Sequence, residues 1–246
     1  MRALSILTLV LCGASADANP VVHNGRIVDL QSSDCKIVQP FDREGFSRVT
    51  WTGECVNGMA HGSGRAEFTF RDGWFSTSRA IFHGEMVDGQ RHGFGETEAK
   101  GIVLGENLTH YKGQYRNGLR HGIGRLFVED SSGRTLEYEG SFQYSQITGY
   151  GELVLHAQDY VVRIAGEFND AKPHGYAEFQ VDLDNGRRIS YHGNFERGRM
   201  HGYGIYSTGG RVYEGEFING CLPRESLTDL EIVLSDIPRF LGLGRC

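Results

Sequence analysis

An all-β fold, an elongated single layer of antiparallel strands running as a meander of stacked hairpins, is predicted by three observations. First, the 246-residue chain holds 35 glycines against five prolines. Glycine costs backbone entropy in any regular element, so this many require a recurring geometric use. Second, the pairs Asn57-Gly58, Asp88-Gly89, Asn117-Gly118 and Asn219-Gly220 suit two-residue hairpin turns, in which both turn positions take positive φ. Third, the segments around these pairs alternate apolar and polar residues with period two, the signature of strands with one covered and one wet face.

The elements follow in chain order. Arg2, an apolar run from Ala3 to Leu11 and then small residues form the pattern of a secretory signal peptide over residues 1–16, with cleavage after Ala16 or Ala18. The run is shorter than the ~20 apolar residues that a spanning helix needs. Leu11 rather than a small residue precedes Cys12, which disfavours a lipoprotein, and no later segment is apolar enough to span. The expected localisation is secreted or periplasmic. Export leaves Cys35, Cys55, Cys221 and Cys246, one pair near each end. An even count in an oxidising compartment favours disulfides, and the absence of a C-x-x-C pair makes zinc a weak reading. Net charge of −6 with a sequence pI near 5.9 argues against a nucleic-acid footprint.

Residues 51–220 carry the repeat. Counting from an aromatic or large apolar residue, glycine follows two later, an apolar residue four later, glycine seven later, histidine ten later, and glycine again at eleven and thirteen. The first copy reads Trp51-Gly53-Cys55-Gly58-His61-Gly62-Gly64, the second Phe82-Gly84-Met86-Gly89-His92-Gly93-Gly95, and the third Tyr111-Gly113-Tyr115-Gly118-His121-Gly122-Gly124. The fourth, Tyr138-Gly140-Phe142, has Ser145 at the turn and recovers Gly149 and Gly151. The fifth, Ile164-Gly166-Phe168, has Ala171 at the turn and Ala177 in the last position. The sixth is Tyr191-Gly193-Phe195-Gly198-His201-Gly202-Gly204, and a half-copy, Tyr213-Gly215-Phe217-Gly220, closes the series. Copies start 22 to 31 residues apart, a period typical of stacked units that cannot bury their own core.

Within each unit the rings share one face and residues such as Lys112, Gln114, Glu214 and Glu216 the other. The glycines then have a reason: a ring lying flat along a strand needs bare backbone beneath it. The histidine row His61, His92, His121, His174 and His201 invites a metal reading. Equivalent residues of stacked hairpins stand two strands apart, about 10 Å at ~4.8 Å per strand, whereas zinc holds ligand nitrogens at ~2 Å. The row is read as packing rings near the start of each second strand, with no metal and no cofactor.

These residues resemble the MORN repeat (membrane occupation and recognition nexus), whose signature is Tyr-x-Gly-x-x-x-x-Gly-x-x-x-Gly-x-Gly with flanking aromatics. The stretch from Cys35 to Gly64 also resembles the start of exported bacterial MORN proteins. The resemblance implies a curved single-layer sheet whose aromatic side lines a groove, and a binding or scaffolding role; phospholipid association has been proposed for some members. Enzymatic members carry a separate catalytic domain, and nothing in this sequence corresponds to one.

Both sheet edges need covering. Residues 17–50 are expected to cap the first edge, stapled to repeat one by Cys35–Cys55, with Cys55 at an inward ring position. Residues 221–246 are expected to form a short amphipathic helix started by Ser226 or Thr228 and limited by Pro238, tied down by Cys221–Cys246. The competing Cys55–Cys221 bridge would span roughly 60 Å at ~10 Å per unit, against the ~7 Å between Cα atoms that a disulfide tolerates.

The sequence contains no hydrolase, phosphate-loop or dinucleotide motif. Ser63 sits between the repeat glycines Gly62 and Gly64 and is not a nucleophile elbow. The expected function is a non-enzymatic exported module binding a protein or extended peptide along the aromatic groove. The ring candidates are Tyr111, Tyr115, Tyr138, Phe142, Phe168, Tyr191, Phe195, Tyr213 and Phe217, since uncovered apolar surface marks interaction sites. A second candidate surface is the opposite-face row Phe94, Ile123, Tyr150, Tyr176 and Tyr203. Phospholipid association is the alternative, disfavoured by the lack of a polybasic cluster; a hydrolase without a known motif ranks third. Exposed terminal strands also allow a homodimer.

Overall fold

The computed structural model describes residues 27–30, 35–38, 46–72, 76–101 and 106–220. The signal segment, the expected C-terminal helix and the Cys221–Cys246 pair lie outside them. The described residues form sixteen strands and no helix. They are β1 (Ile27–Asp29), β2 (Lys36–Val38), β3 (Phe46–Trp51), β4 (Glu54–Val56), β5 (Met59–Asp72), β6 (Ser76–Val87), β7 (Gln90–Lys100) and β8 (Glu106–Arg116). There follow β9 (Leu119–Asp130), β10 (Thr135–Gln143), β11 (Gln146–His156), β12 (Tyr160–Asn169), β13 (Lys172–Leu183), β14 (Arg188–Glu196), β15 (Arg199–Thr208) and β16 (Arg211–Phe217). The all-β antiparallel expectation holds.

The chain divides into two compact units. The first comprises the described residues up to Gly133 together with Ser141–Gln146; the second comprises Arg134–Gly140 and the described residues from Ile147 onward. In the first unit β5 to β9 pair in chain order, all antiparallel, and β3 and β4 both pair with β5. In the second, β11 to β16 do the same.

The four Asn-Gly and Asp-Gly turns close with both central residues at positive φ: Asn57 51° and Gly58 76°, Asp88 49° and Gly89 72°, Asn117 50° and Gly118 79°, Asn219 54° and Gly220 89°. Copies four and five keep the same turn without glycine, at Tyr144 50° and Ser145 67° and at Asp170 51° and Ala171 56°. Hydrogen bonds from turn to previous hairpin hold them there. The Ser145 amide donates to Arg120 O at 2.8 Å, and the Ala171 amide to Ile147 O at 2.9 Å. Gly89 to Ala60 O, Gly118 to Arg91 O, Gly198 to Pro173 O and Gly220 to Met200 O repeat the bond at 2.8–2.9 Å.

The hairpins that close copies two, three, five and six also carry a bulge at one place. In β8–β9, Gly113 pairs with Gly124 but Tyr115 pairs with Arg120, so His121, Gly122 and Ile123 stand opposite Gln114 alone. The same slip separates Gly84–Gly95 from Glu85–His92, and Gly193–Gly204 from Phe195–Met200. The glycine after each histidine takes the left-handed conformation that the bulge requires, as Gly122 at 62° and Gly202 at 67° show.

The N-terminal residues add a hairpin that the alternation argument did not foresee. β1 pairs antiparallel with β2, and Lys36 meets Met59 of β5 in parallel. The Lys36 and Val38 amides donate to Gly58 O and Gly89 O, each at 2.9 Å, so β2 closes over the turns of repeats one and two. Ile37 is fully buried there.

Candidate functional site

The inward face is built by position one of each repeat. Tyr111 folds back along its own strand over Gly113 and Gly124, and its hydroxyl donates to Gln114 O at 2.9 Å. Tyr191 does the same over Gly193 and Gly204, donating to Asn194 O at 3.0 Å, and Trp51 Nε1 donates to Glu54 O at 3.0 Å. A methyl group on Gly124 would stand 2.6 Å from Tyr111 Cζ, and one on Gly64 2.6 Å from Trp51 Cη2. The paired glycines are the floor on which the ring lies. Copy five accounts for its own departure. Ile164 is too short to cover both strands, and the Ala177 methyl fills the room over Gly166, its cross-strand partner.

Position five of one copy then packs on position one of the copy before. Phe82 meets Tyr115 at 5.5 Å, Tyr111 meets Phe142 at 5.2 Å, Tyr138 meets Phe168 at 5.6 Å and Tyr191 meets Phe217 at 5.0 Å, all edge to face. Tyr111–Tyr115 and Tyr191–Phe195 close the ladder within a copy, each at 5.1 Å. Such pairs prefer this geometry because a ring's positive edge meets its neighbour's negative face.

Of the nine expected groove rings, Tyr111, Tyr115, Tyr138, Phe142, Phe168, Tyr191, Phe195 and Phe217 are buried, and Tyr213 is partly exposed. A partner could touch the eight only by displacing their neighbours. Half-buried cations line the same face. Arg91 lies 4.7 Å over the Tyr115 ring and donates to Gly118 O at 2.5 Å, while Arg120 lies 5.7 Å over Tyr111 and 5.5 Å over Phe142. The Tyr115 hydroxyl shares a 2.6 Å hydrogen bond with Thr97. Burial pushes Tyr111 up strongly, and burial, helped by the negative charge of Glu216, pushes Tyr191 up to about 12. Neither phenol ionises near neutral pH.

Cys55 corrects one expectation. It occupies the position-five slot and forms the disulfide to Cys35, with Cα atoms 5.8 Å apart, yet it is exposed, and Cys35 is the buried partner. The reason is positional: copy one has no earlier copy whose position-one ring could cover its position five.

The histidines sit in the bulges. His121 packs edge-on to Tyr144 at 5.5 Å, His201 Nε2 is 3.6 Å from Glu196, and His174 is exposed. Among the described residues no three His, Cys, Asp or Glu side chains gather to hold a metal ion. Two acidic groups of the first unit's wet face are held in ion pairs. Desolvation pushes Glu67 up, but Arg79 at 2.6 Å and Arg65 at 2.8 Å outweigh it and hold its carboxyl below the ordinary value. A hydrogen bond from His110, with Lys112 beside it, does the same for Glu96.

Exposed on the outside is position thirteen, the residue between the two glycines that follow the histidine. Phe94 and Ile123 in the first unit are each 59% exposed; Tyr150, Tyr176 and Tyr203 in the second are 69%, 57% and 54% exposed. The bulge turns these side chains to water while the flanking glycine faces inward. The ring ladder and the carboxylate pairs were not visible in the sequence, because both depend on which strands become neighbours. No helix among the described residues is long and apolar enough to cross a membrane.

The MORN repeat family model matches residues 51–74, 82–98, 111–127, 138–156, 165–180 and 191–211. These six segments coincide with the six full copies. No curated protein matches the chain.

Proposed function

Because this chain is built from six MORN repeats, we propose that it is a non-enzymatic exported module that binds or scaffolds a protein partner. One observation carries the reading: the repeat spends its inward rings on its own sheet and leaves the position-thirteen side chains exposed. Large apolar side chains are ordinarily withdrawn from water, and their repeated exposure at equivalent sites is the mark of an interaction surface. The inward rings serve by stiffening the sheet. Tyr213, the one ring of the nine that is partly exposed, is where that row can touch a partner directly. Export is supported by the Cys35–Cys55 bridge, which an oxidising compartment maintains, and by the signal pattern of residues 1–16.

Crosslinking the mature protein in its own envelope or secreted fraction tests this. A discrete protein adduct, competed away by excess uncrosslinked protein, is the expected result. Flotation with anionic vesicles at physiological salt, without a protein adduct, would replace the reading by phospholipid association.

A further inference from the structure

The second unit places its exposed tyrosines in a defined lateral row. The registers put Tyr150 opposite Glu167 and Tyr176 opposite Asn194, and Tyr203 opposite Glu216. Glu167 and Asn194 in turn face the bulges that carry Tyr176 and Tyr203. The row therefore reads Tyr, Glu, Tyr, Asn, Tyr, Glu across β11 to β16. The next row, two residues along each strand, is Glu152, Ala165, Glu178, His192, Ile205 and Glu214. All five glutamates of these rows are exposed, and neither row contains lysine or arginine. Tyr203 donates a hydrogen bond to Glu214, and His192 Nδ1 is 3.9 Å from Glu178. The corresponding row of the first unit is different in kind. It holds Arg65, His83, Glu96, Lys112 and Arg125.

Spacing selects the shape of what could bind. Successive tyrosines stand two strands apart, about 9.6 Å at ~4.8 Å per strand. A β-strand returns a side chain to the same face every ~6.7 Å, which does not match. A polyproline II segment has three residues per turn and rises ~3.1 Å per residue, so its same-face side chains recur at about 9.3 Å. Charge selects the rest. A cation over each phenol ring would gain the ring's negative face and have a carboxylate beside it: Glu152 two residues from Tyr150, Glu178 two from Tyr176, and Glu214 bonded to Tyr203.

We propose that this face of the second unit docks an extended basic segment of a partner protein, in polyproline II conformation, with arginine or lysine at every third residue. The proposal rests on the protein-binding reading above and gives it a location and a ligand chemistry.

The test uses the full mature chain and two fluorescent peptides of identical composition, one of repeated Arg-Pro-Pro triplets and one with the arginines placed in adjacent pairs. Anisotropy titrations are expected to show the triplet peptide binding about tenfold tighter. The joint variant Tyr150→Ser, Tyr176→Ser, Tyr203→Ser should abolish that preference, and Glu152→Gln with Glu178→Gln should weaken triplet binding several-fold. Asp159→Asn with Asp184→Asn, which removes the same charge from the connections between strands, should leave it within about twofold. All the substituted side chains are exposed, and thermal melts of each variant verify folding. Equal binding of the two arginine arrangements would overturn the proposal, as would a triplet preference that survives loss of the tyrosines. So would tyrosine-dependent binding of a neutral polysaccharide with no binding of the triplets. If the crosslinked protein partner is still recovered with the tyrosine variant, the module reading stands and this surface is wrong.

Discussion

At Gly204 one methyl group separates a ring that fits from one that does not. A Cβ there would stand 2.6 Å from Tyr191 Cζ, whereas at Gly215, its cross-strand partner in the next hairpin, a Cβ would meet nothing within 4 Å. Gly204→Ala should therefore lower stability by about 2–3 kcal/mol, since overpacking a filled site forces neighbours off their rotamers. Gly215→Ala should stay within about 0.5 kcal/mol of the parent. Urea unfolding midpoints of the two variants check the contrast. Turn residues give the opposite sign. Arg197 is exposed and holds φ at 51°, a conformation that most L-residues enter at a cost of roughly 1–2 kcal/mol and asparagine enters more readily. Arg197→Asn should raise stability by about 0.5–1 kcal/mol on the same measurement.

At the scale of elements, two kinds of cross-link join strands. The Cys35–Cys55 bridge closes 20 residues of separation and fastens β2 to the first repeat. Reduction should cost about 3 kcal/mol by the loop-entropy argument, read as a lower melting temperature under reductant that Cys35→Ser reproduces. The second kind is ionic. Glu67 and Glu96 in the first unit are held below their ordinary value of 4.5. In the second unit Asp182 is pushed up by desolvation but held below 3.8 by the stronger pull of Arg188, Gln180 and Arg163. A depressed folded-state value means that the native state gives up these protons more readily than the unfolded chain. The stability they contribute is present above the ordinary carboxylate range and fades as pH falls from about 4.5 through the lower folded values. Melting temperature against pH should decline across that window, less steeply in Glu67→Gln with Asp182→Asn. Tyr191 acts at the other extreme. Its value is raised to about 12, so stability intact below about 10 should be lost as pH rises from there toward 12, when only the unfolded phenol ionises.

Across the described residues one local rule, a ring over two glycines, is written five times, and copy five replaces it with Ile164 and Ala177. Stability in such arrays is close to a sum of unit and neighbour terms, so damage should stay near its source. Amide hydrogen exchange in Gly204→Ala should quicken chiefly in β14 to β16 and little in β5 and β6; uniform acceleration would instead show global cooperativity. The same repetition governs function. An array whose inward rings are consumed in its own packing presents its variable residues outward, and the two units present different ones, tyrosine with glutamate in one and mixed charge in the other.

The sequence by itself determined the strands and turn positions of the repeats, the assignment of their residues to two faces and the purpose of the paired glycines, but not the β1–β2 hairpin. Each follows from contacts within one hairpin, where period and turn chemistry suffice. It also determined the Cys35–Cys55 pairing, because that bridge joins the cap to the adjacent first repeat. Only the tertiary structure decided that Tyr111, Phe142, Tyr191 and Phe217 bury one another instead of lining an open groove. Only there, too, did the bulge turn Tyr150, Tyr176 and Tyr203 to water, and Cys55 prove exposed for want of an earlier copy. These outcomes depend on how much ring each neighbouring copy supplies and on the slip in register that a left-handed glycine permits. A spacing pattern along one chain records neither quantity, because both arise between strands.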